Sequence, residues 1–501
     1  MKKLICEKVQ ELICYGIRHR LISDVDEIVV RNELMEALCL KDWKESCASQ
    51  KSDSIDDILE PIIDYACKQG IIMDTADARE RFDTKLMGIM TAMPREVIAE
   101  FERRYAVSAK DATDWYYRYS QELNYVRAGR IAKDLKWKYP CEYGVLDITI
   151  NCSKPEKDPK DIAAAKRQRS TAYPKCQLCS ENAGFAGSAN HPARNNLRPV
   201  PVKVGSERWE LQYSPYGYYN EHCIVFNSKH VPMKIDAQVF EKLFDILDYL
   251  PHYFVGSNAD LPIVGGSILS HEHFQGGRYT FPMETAPVET AFNISKYPKV
   301  KAGIVKWPMS VIRLSCEDRV ELARCCDLVL EKWRAYSDTT ALVFAETDGI
   351  LHNTVTPIAR KKGSEYECDL VLRNNLTTKD RPLGIFHPNP ELHHIKKENI
   401  GLIEVMGLAV LPSRLARDIA VLEKALCNSQ NLLSVPELEQ HAKWASEIVK
   451  KHPELNSENV KEIIEQEIGC VFLEVLFDAG VFKRTPEGKD AFLRFVNNIN
   501  V

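Results

Sequence analysis

Long apolar runs are missing from this sequence. No stretch approaches the roughly 18 consecutive apolar residues that a membrane span needs. The start, Met1-Lys2-Lys3-Leu4-Ile5-Cys6, imitates a secretory leader only briefly. Glu7, Lys8, Gln10 and Glu11 interrupt any apolar core of the required length. An excess of positive charge is missing too. Lys and Arg total 66 against 71 Asp and Glu, for a formal net charge of -5, so no global basic field argues for nucleic acid. Cysteine is not scarce, at 16 residues, but paired cysteine motifs are. Only Cys176-Gln177-Leu178-Cys179 and the adjacent Cys325-Cys326 stand out. Scattered thiols in a long enzyme-like chain argue for a reducing compartment rather than a disulfide framework. The expectation is a cytoplasmic protein with no nucleic-acid and no membrane partner.

What is present reads as several folded units. The chain has 501 residues, too many for one ordinary core. Residues 1 to about 140 show apolar positions at helical spacing, and the aromatic-rich stretch from Phe101 to Arg127 reads as a packed face. At Val145 the pattern changes. Leu146-Asp147-Ile148-Thr149-Ile150-Asn151 alternates as a half-buried strand does. Val239 to Tyr253 reads as an amphipathic helix, and Cys223 to Phe226 as a buried strand. Beyond about residue 300, Ala341–Ala345 and Cys368–Arg373 read as strands. Arg319–Trp333 and Glu398–Leu426 read as helices. From about Ser434 the chain is helical again, a packing or subunit-contact tail compatible with a homodimer.

The stretch that organises the chain is Val264-Gly265-Gly266-Ser267-Ile268-Leu269-Ser270-His271-Glu272-His273-Phe274-Gln275-Gly276-Gly277. In a strand, alternate side chains share a face, so His271, His273 and Gln275 point one way and Glu272 and Phe274 the other. The flanking glycines let a ligand approach the backbone. One reading is a phosphate-handling site with a histidine nucleophile; the other is a polar strand end in a Gly-rich turn. Cys176-x-x-Cys179 allows two thiolates to meet one Zn²⁺, yet alone it is equally compatible with redox chemistry. No second C-x-x-C completes a four-cysteine site, so histidines would have to supply the remaining ligands.

His271-Glu272-His273-Phe274-Gln275 resembles the His-x-His-x-Gln strand of the galactose-1-phosphate uridylyltransferases, the transferase branch of the histidine-triad superfamily. The wording of the chain is closer to their second, bacterial class; the first class has Pro where this chain has Glu272. The resemblance covers about residues 100 to 425. It implies an α+β fold with two histidine-triad-like halves on antiparallel sheets and helical terminal segments. The expected divisions are 1–144 (helical), 145–298 (catalytic half), 299–427 (second half) and 428–501 (helical).

The resemblance also implies the site. His273 would be the nucleophile that becomes uridylylated, with Gln275 donating to a phosphate oxygen. Lys154 and Lys157 match the spacing of two nucleotide-contacting arginines. Asn220 and Glu221 resemble a ribose-holding Asn-Asp pair. Asn258 and Ser267 resemble nucleotide and phosphate contacts. Lys397 and Glu404, around Gly401, resemble the pair that contacts the hexose phosphate. Cys176, Cys179, His230 and His271 map onto a structural zinc site, with His222 as a competing ligand. His387, Glu391, His393 and His394 offer a second metal site, or else part of a sugar-phosphate loop. Asn353 and Arg360 match second-class wording and carry no assigned role. The implied activity transfers UMP between UDP-glucose and galactose 1-phosphate through a uridylyl-histidine, in galactose metabolism. Alternatives are an N-acetylhexosamine 1-phosphate acceptor, a histidine-triad hydrolase or phosphorylase, and a non-catalytic nucleotide-binding protein.

Overall fold

The structure, a computed structural model, describes residues 2–44, 52–153, 172–188, 190–266, 268–427 and 435–501. The chain forms two compact units. One comprises Met1–Lys133 with Pro155–Val231, the other Asp134–Lys154 with Pro232–Val501.

The first unit opens with helices whose starts are written in the sequence. Ser54 accepts a hydrogen bond from Asp57 N and opens Ile55–Lys68; Ser108 does the same from Asp111 N for Ala109–Glu122. In Ile55–Lys68 the buried set is Ile58, Leu59, Ile62, Ile63 and Ala66, one helical stripe. The aromatic stretch packs as its spacing indicates. Phe101 meets Tyr116 edge-on at 5.9 Å, and Tyr116 lies 5.2 Å from Tyr213. Tyr213 belongs to an antiparallel meander of Val200–Val204, Glu207–Tyr213 and Cys223–Asn227.

The second unit is built on seven antiparallel strands. In spatial order they are His273–Gly277, Phe254–Gly256, Asn353–Lys362, Glu365–Asn374, Val311–Cys316, Lys301–Val305 and Val288–Phe292. Helices Ala237–Tyr249 and Arg319–Arg334 pack against these strands with Phe240, Leu243, Leu247, Leu322, Val329 and Trp333 buried. The register places Gln275, Gly256, Ile358, Asp369 and Arg313 in one row across the strands. That row carries polar chemistry. Arg313 grips Asp369 bidentately at 2.7 and 2.9 Å, and Arg360 reaches Glu367 at 2.6 Å. Arg360 therefore closes a buried charge network. Asn353 ties strand to helix, donating at 2.8 Å to the carbonyls of Trp333 and Tyr336.

Three segments differ from their sequence patterns. Leu135–Cys141 is a strand, not the end of the helical region; Leu135, Trp137 and Tyr139 alternate with Lys136 and Lys138 and pair with Gly144–Asn151. Leu408–Pro412 is a strand parallel to Gly144–Asn151, inside a span whose apolar content suggested one helix. Gly407, at φ 98°, breaks that helix after Leu402–Val405, and a new one starts at Arg414. Ala341–Ala345 is not a strand: Thr339–Ala341 is a 3₁₀ turn and Leu342 is left-handed. The C-terminal helices are Ala442–Lys451, Val460–Ala479 and Pro486–Asn498.

Candidate active site and candidate metal centre

His273 opens the strand His273–Gly277 and is buried. Its Nδ1 lies 2.7 Å from the backbone carbonyl of His271. A carbonyl oxygen only accepts, so Nδ1 carries the proton and Nε2 the lone pair. Burial pushes the His273 imidazole down to about 4, against the pull of that carbonyl. The ring is therefore neutral near pH 7, with a fixed tautomer and a desolvated nucleophilic nitrogen. Gln275, two residues on, stands opposite Gly256. The space above Gly256 is taken. A Cβ there would lie 2.9 Å from both Leu402 Cδ1 and Pro357 O, so only glycine lets the Leu402 segment settle beside Gln275.

The segment 396–404 is thereby docked onto this strand region. Asn258 Oδ1 accepts from Leu402 N at 3.0 Å. Glu404 takes Gly401 N on one oxygen at 3.1 Å and Lys396 Nζ on the other at 2.8 Å. Arg373 Nη2 holds the Ile400 carbonyl at 2.9 Å. Lys396 and Arg373 are both buried, whereas Lys397 is exposed. Gly265 and Gly266 also have a packing reason: a Cβ would lie 2.2 Å from Ala259 O or 2.8 Å from Asn258 Nδ2.

In the first unit, Asn220 and Glu221 sit at the turn between Glu207–Tyr213 and Cys223–Asn227. The turn is closed by Ser214 N donating to His222 O at 2.8 Å. Glu221 is buried and left-handed at φ 55°, a strained backbone for a non-glycine residue. Asn220 Nδ2 donates to its carboxylate at 3.3 Å.

The same unit gathers Cys176, Cys179 and His230. The two sulfurs are 3.5 Å apart, and Cys179 Sγ is 3.2 Å from His230 Nδ1. Tetrahedral bonds of about 2.3 Å to sulfur and 2.0–2.1 Å to nitrogen put such ligand atoms roughly 3.5–3.8 Å apart, so the set fits Zn²⁺ after a small expansion. Leu178 N donates to Cys176 Sγ at 3.4 Å, the kind of contact that steadies a thiolate ligand. Burial and the adjacent Cys176 push the Cys179 thiol up to about 12, a burden that a bound cation would remove. His222 instead packs at a tilt against Tyr219, with ring centroids 4.5 Å apart and planes at 38°. His271 belongs to the second unit and is fully buried.

The histidines of 387–394 make protein contacts. His394 Nδ1 meets His441 Nδ1 at 2.9 Å, His441 Nε2 lies 3.4 Å from Asp418, and His393 Nε2 is 2.9 Å from Pro388 O. Among the described residues they do not form a metal-competent group.

Comparison with known proteins decides the family. The sequence pattern of the galactose-1-phosphate uridyl transferase N-terminal domain matches residues 20–232, and that of the C-terminal domain matches residues 246–446. The chain belongs to the galactose-1-phosphate uridylyltransferase family. A galactose-1-phosphate uridylyltransferase of Clostridium acetobutylicum is 50% identical over 99% of this chain and 100% of its own. One from Bacillus subtilis is 49% identical over 99% and 98%. Among solved structures, yeast Ap4A phosphorylase Apa2 overlaps at 13% identity and a TM-score of 0.35, covering 62% of this chain and 91% of its own. The protein is thus an enzyme, a transferase of this family, and no helix among the described residues is long and apolar enough to cross a membrane.

Of the uridylyltransferase site residues expected from sequence, His273, Gln275, Asn258 and Glu404 lie along one chain of contacts in the second unit. Lys154, Lys157 and Ser267 lie outside the described residues. Sequence reading missed Lys396 and Arg373. Two adjacent lysines, Lys396 and Lys397, give no sign of which is buried, although Ile395 beside the first marks a buried edge.

Proposed function

We propose that this transferase moves UMP from UDP-glucose to galactose 1-phosphate by double displacement, giving UDP-galactose and glucose 1-phosphate. His273 Nε2 attacks the α-phosphorus of UDP-glucose, and the bond to the glucose 1-phosphate oxygen breaks. A galactose 1-phosphate oxygen then attacks the same phosphorus and frees the histidine. The observation that carries this reading is the 2.7 Å contact from His273 Nδ1 to the His271 carbonyl. It aims the lone pair of Nε2 outward and faces the ring with an acceptor as it gains positive charge on phosphorylation. Depression of its basicity to about 4 keeps the nucleophile unprotonated.

Gln275 supplies amide donors to a nonbridging oxygen. Asn220 and Glu221 are assigned to the ribose and Asn258 to the nucleotide; Lys154, Lys157 and Ser267 keep the diphosphate role that the family resemblance gives them. For the hexose phosphate, exposed Lys397 meets phosphate and Glu404 meets hydroxyls. Lys396 and Gly401 N fix the Glu404 carboxylate, and each oxygen keeps a second lone-pair direction for sugar. His271 is assigned as fourth ligand beside Cys176, Cys179 and His230, where Zn²⁺ would neutralise the thiolates and cross-link the backbone. The test is mass spectrometry of the protein with UDP-glucose alone. One uridylyl adduct on His273 with stoichiometric glucose 1-phosphate is expected. No adduct, together with sequential kinetics, refutes the scheme.

A further inference from the structure

Three arginines lie buried on one face of the second unit's strands, and among the described residues only two of them have a counter-charge. Along Glu365–Asn374 alternate residues share a face, so Glu367, Asp369 and Arg373 point the same way. The register brings Arg360 opposite Glu367 and Arg313 opposite Asp369. Both are ion-paired there, Arg313 with Asp369 and Arg360 with Glu367 and Asp369. Arg373 is buried as deeply, yet its acceptors are neutral. They are the Ile400 carbonyl at 2.9 Å and Thr356 Oγ1 at 3.5 Å. Glu404 lies near enough to favour its charged form, but Lys396 already holds a Glu404 oxygen at 2.8 Å. Burial wins and pulls the Arg373 guanidinium down to about 10.

A buried cation without a partner is costly, so the opposite charge has to come from elsewhere. A guanidinium offers five N–H donors in a planar fork that matches phosphate oxygens in pairs. Two neutral acceptors leave most of that fork for a ligand. The place is also right. The segment 396–404 lies on this face, with Ile400 on Arg373 and Leu402 beside Gly256, which pairs with Gln275. Ile400 is three residues beyond Lys397. Two strands separate Glu365–Asn374 from His273–Gly277, so the backbones are roughly 14 Å apart at the usual strand spacing. An arginine side chain, a phosphate and an imidazole fit across that span. We propose that Arg373 is a substrate-binding residue: its guanidinium takes the phosphate of the hexose 1-phosphate on the sheet side of the segment, and exposed Lys397 meets the same phosphate from outside. This rests on the reading of 396–404 as the hexose-phosphate segment.

The test separates a ligand's partner from a strut. Arg373→Gln keeps an amide donor for the Ile400 carbonyl and removes the charge. Without ligand it should melt at or above the wild type, because an uncompensated buried charge is gone. KM for glucose 1-phosphate and galactose 1-phosphate should rise by roughly tenfold or more, the usual effect of losing a charged hydrogen-bond partner. The rise in melting temperature given by glucose 1-phosphate should disappear, while the rise given by UMP, which has no hexose phosphate, should persist. Arg373→Lys keeps the charge without the fork and should fall between the two. An Arg373→Gln protein that binds glucose 1-phosphate as the wild type does overturns the inference. So does one that melts several degrees early or also loses its response to UMP, since Arg373 would then be a strut. A Lys variant as weak as the Gln variant overturns it too. Lys397→Met keeps the two readings apart. If it leaves both hexose phosphates bound normally, the assignment of the segment fails and takes this inference with it. If it weakens them and Arg373→Gln does not, only this inference fails.

Discussion

Breaking the Lys396–Glu404 pair tests how the hexose-phosphate segment is built. The two charges are 2.8 Å apart, with side-chain exposures of 5% and 11%. Burial pulls the Lys396 ammonium down, but Glu404 outweighs it and the net shift is upward. A raised lysine contributes stability that is present below its unfolded value and lost only as pH climbs through the folded one. Across neutral pH the pair is therefore charged. Lys396→Met leaves Glu404 buried with Gly401 N as its remaining donor. Removing one partner of a buried pair costs about 3–5 kcal/mol. At roughly 2–4 °C per kcal/mol the melting temperature should fall on the order of 10 °C. Glu404→Gln keeps the shape and removes the charge. In Lys396→Met with Glu404→Gln no charge is left unpaired, so the double variant should be more stable than the summed single losses by roughly 1–3 kcal/mol. Lys397→Met is the control. Its side chain is exposed, so stability should stay within about 0.5 kcal/mol, while KM for galactose 1-phosphate and glucose 1-phosphate rises alike by about tenfold. Denaturant melts and initial-rate kinetics on the four proteins check this. Additive losses in the double variant, or a Lys397→Met protein that melts early and binds both sugars normally, would refute the division of labour between the two lysines.

Three further outcomes are expected. His273→Ala should abolish exchange while the melting temperature stays within a few degrees; measurable exchange above buffer background would exclude His273 as nucleophile. Chelator treatment at mildly acidic pH should release about one zinc per chain and lower the melting temperature, and Cys176→Ser should lose the metal at once; a fully active, equally stable metal-free protein would rule out a structural ion. Burial, then His441 and Arg414, push His394 down to about 4. The unfolded chain takes a proton near pH 6.5 that the folded one refuses until about 4, so stability falls with pH across that window by up to roughly 1.4 kcal/mol per unit. His394→Gln should flatten part of that slope, and an unchanged slope in urea melts would refute the assignment.

Much of the site could be read before any coordinates, because it is local in sequence. A C-x-x-C must bring its sulfurs close, a consequence of backbone geometry over a few residues, whereas the strand face expected to carry His271, His273 and Gln275 begins only at His273, because His271 and Glu272 precede the strand. What lay beyond reach depended on partners far along the chain. Lys242 is 30 residues from Glu272, and Asn258 is 144 from Leu402. No period or propensity announces such a contact. Gly265 and Gly266 suggested an open approach for a ligand, yet the near neighbours of their missing Cβ atoms are Ala259 O and Asn258 Nδ2. Glycine marks a close backbone approach without saying to what. Leu408–Pro412 failed for a different reason. Five consecutive apolar or proline residues fit a buried parallel strand as well as a helix, and only its partner Gly144–Asn151 decides.

The motif itself shows why adjacency matters for this chemistry. A histidine that must attack phosphorus needs a desolvated lone pair and one tautomer, and burial alone supplies only the first. Burial without an acceptor at Nδ1 leaves either nitrogen free to carry the proton, so part of the population would present N–H to the phosphorus. The His271 carbonyl removes that choice at 2.7 Å. A backbone acceptor has no side chain that substitution can delete, so its position must come from its neighbours. Here one neighbour is the His271 side chain, assigned to the metal, and the other is Glu272, held by Lys242. A change at either flank should appear first in kcat, before it appears in affinity.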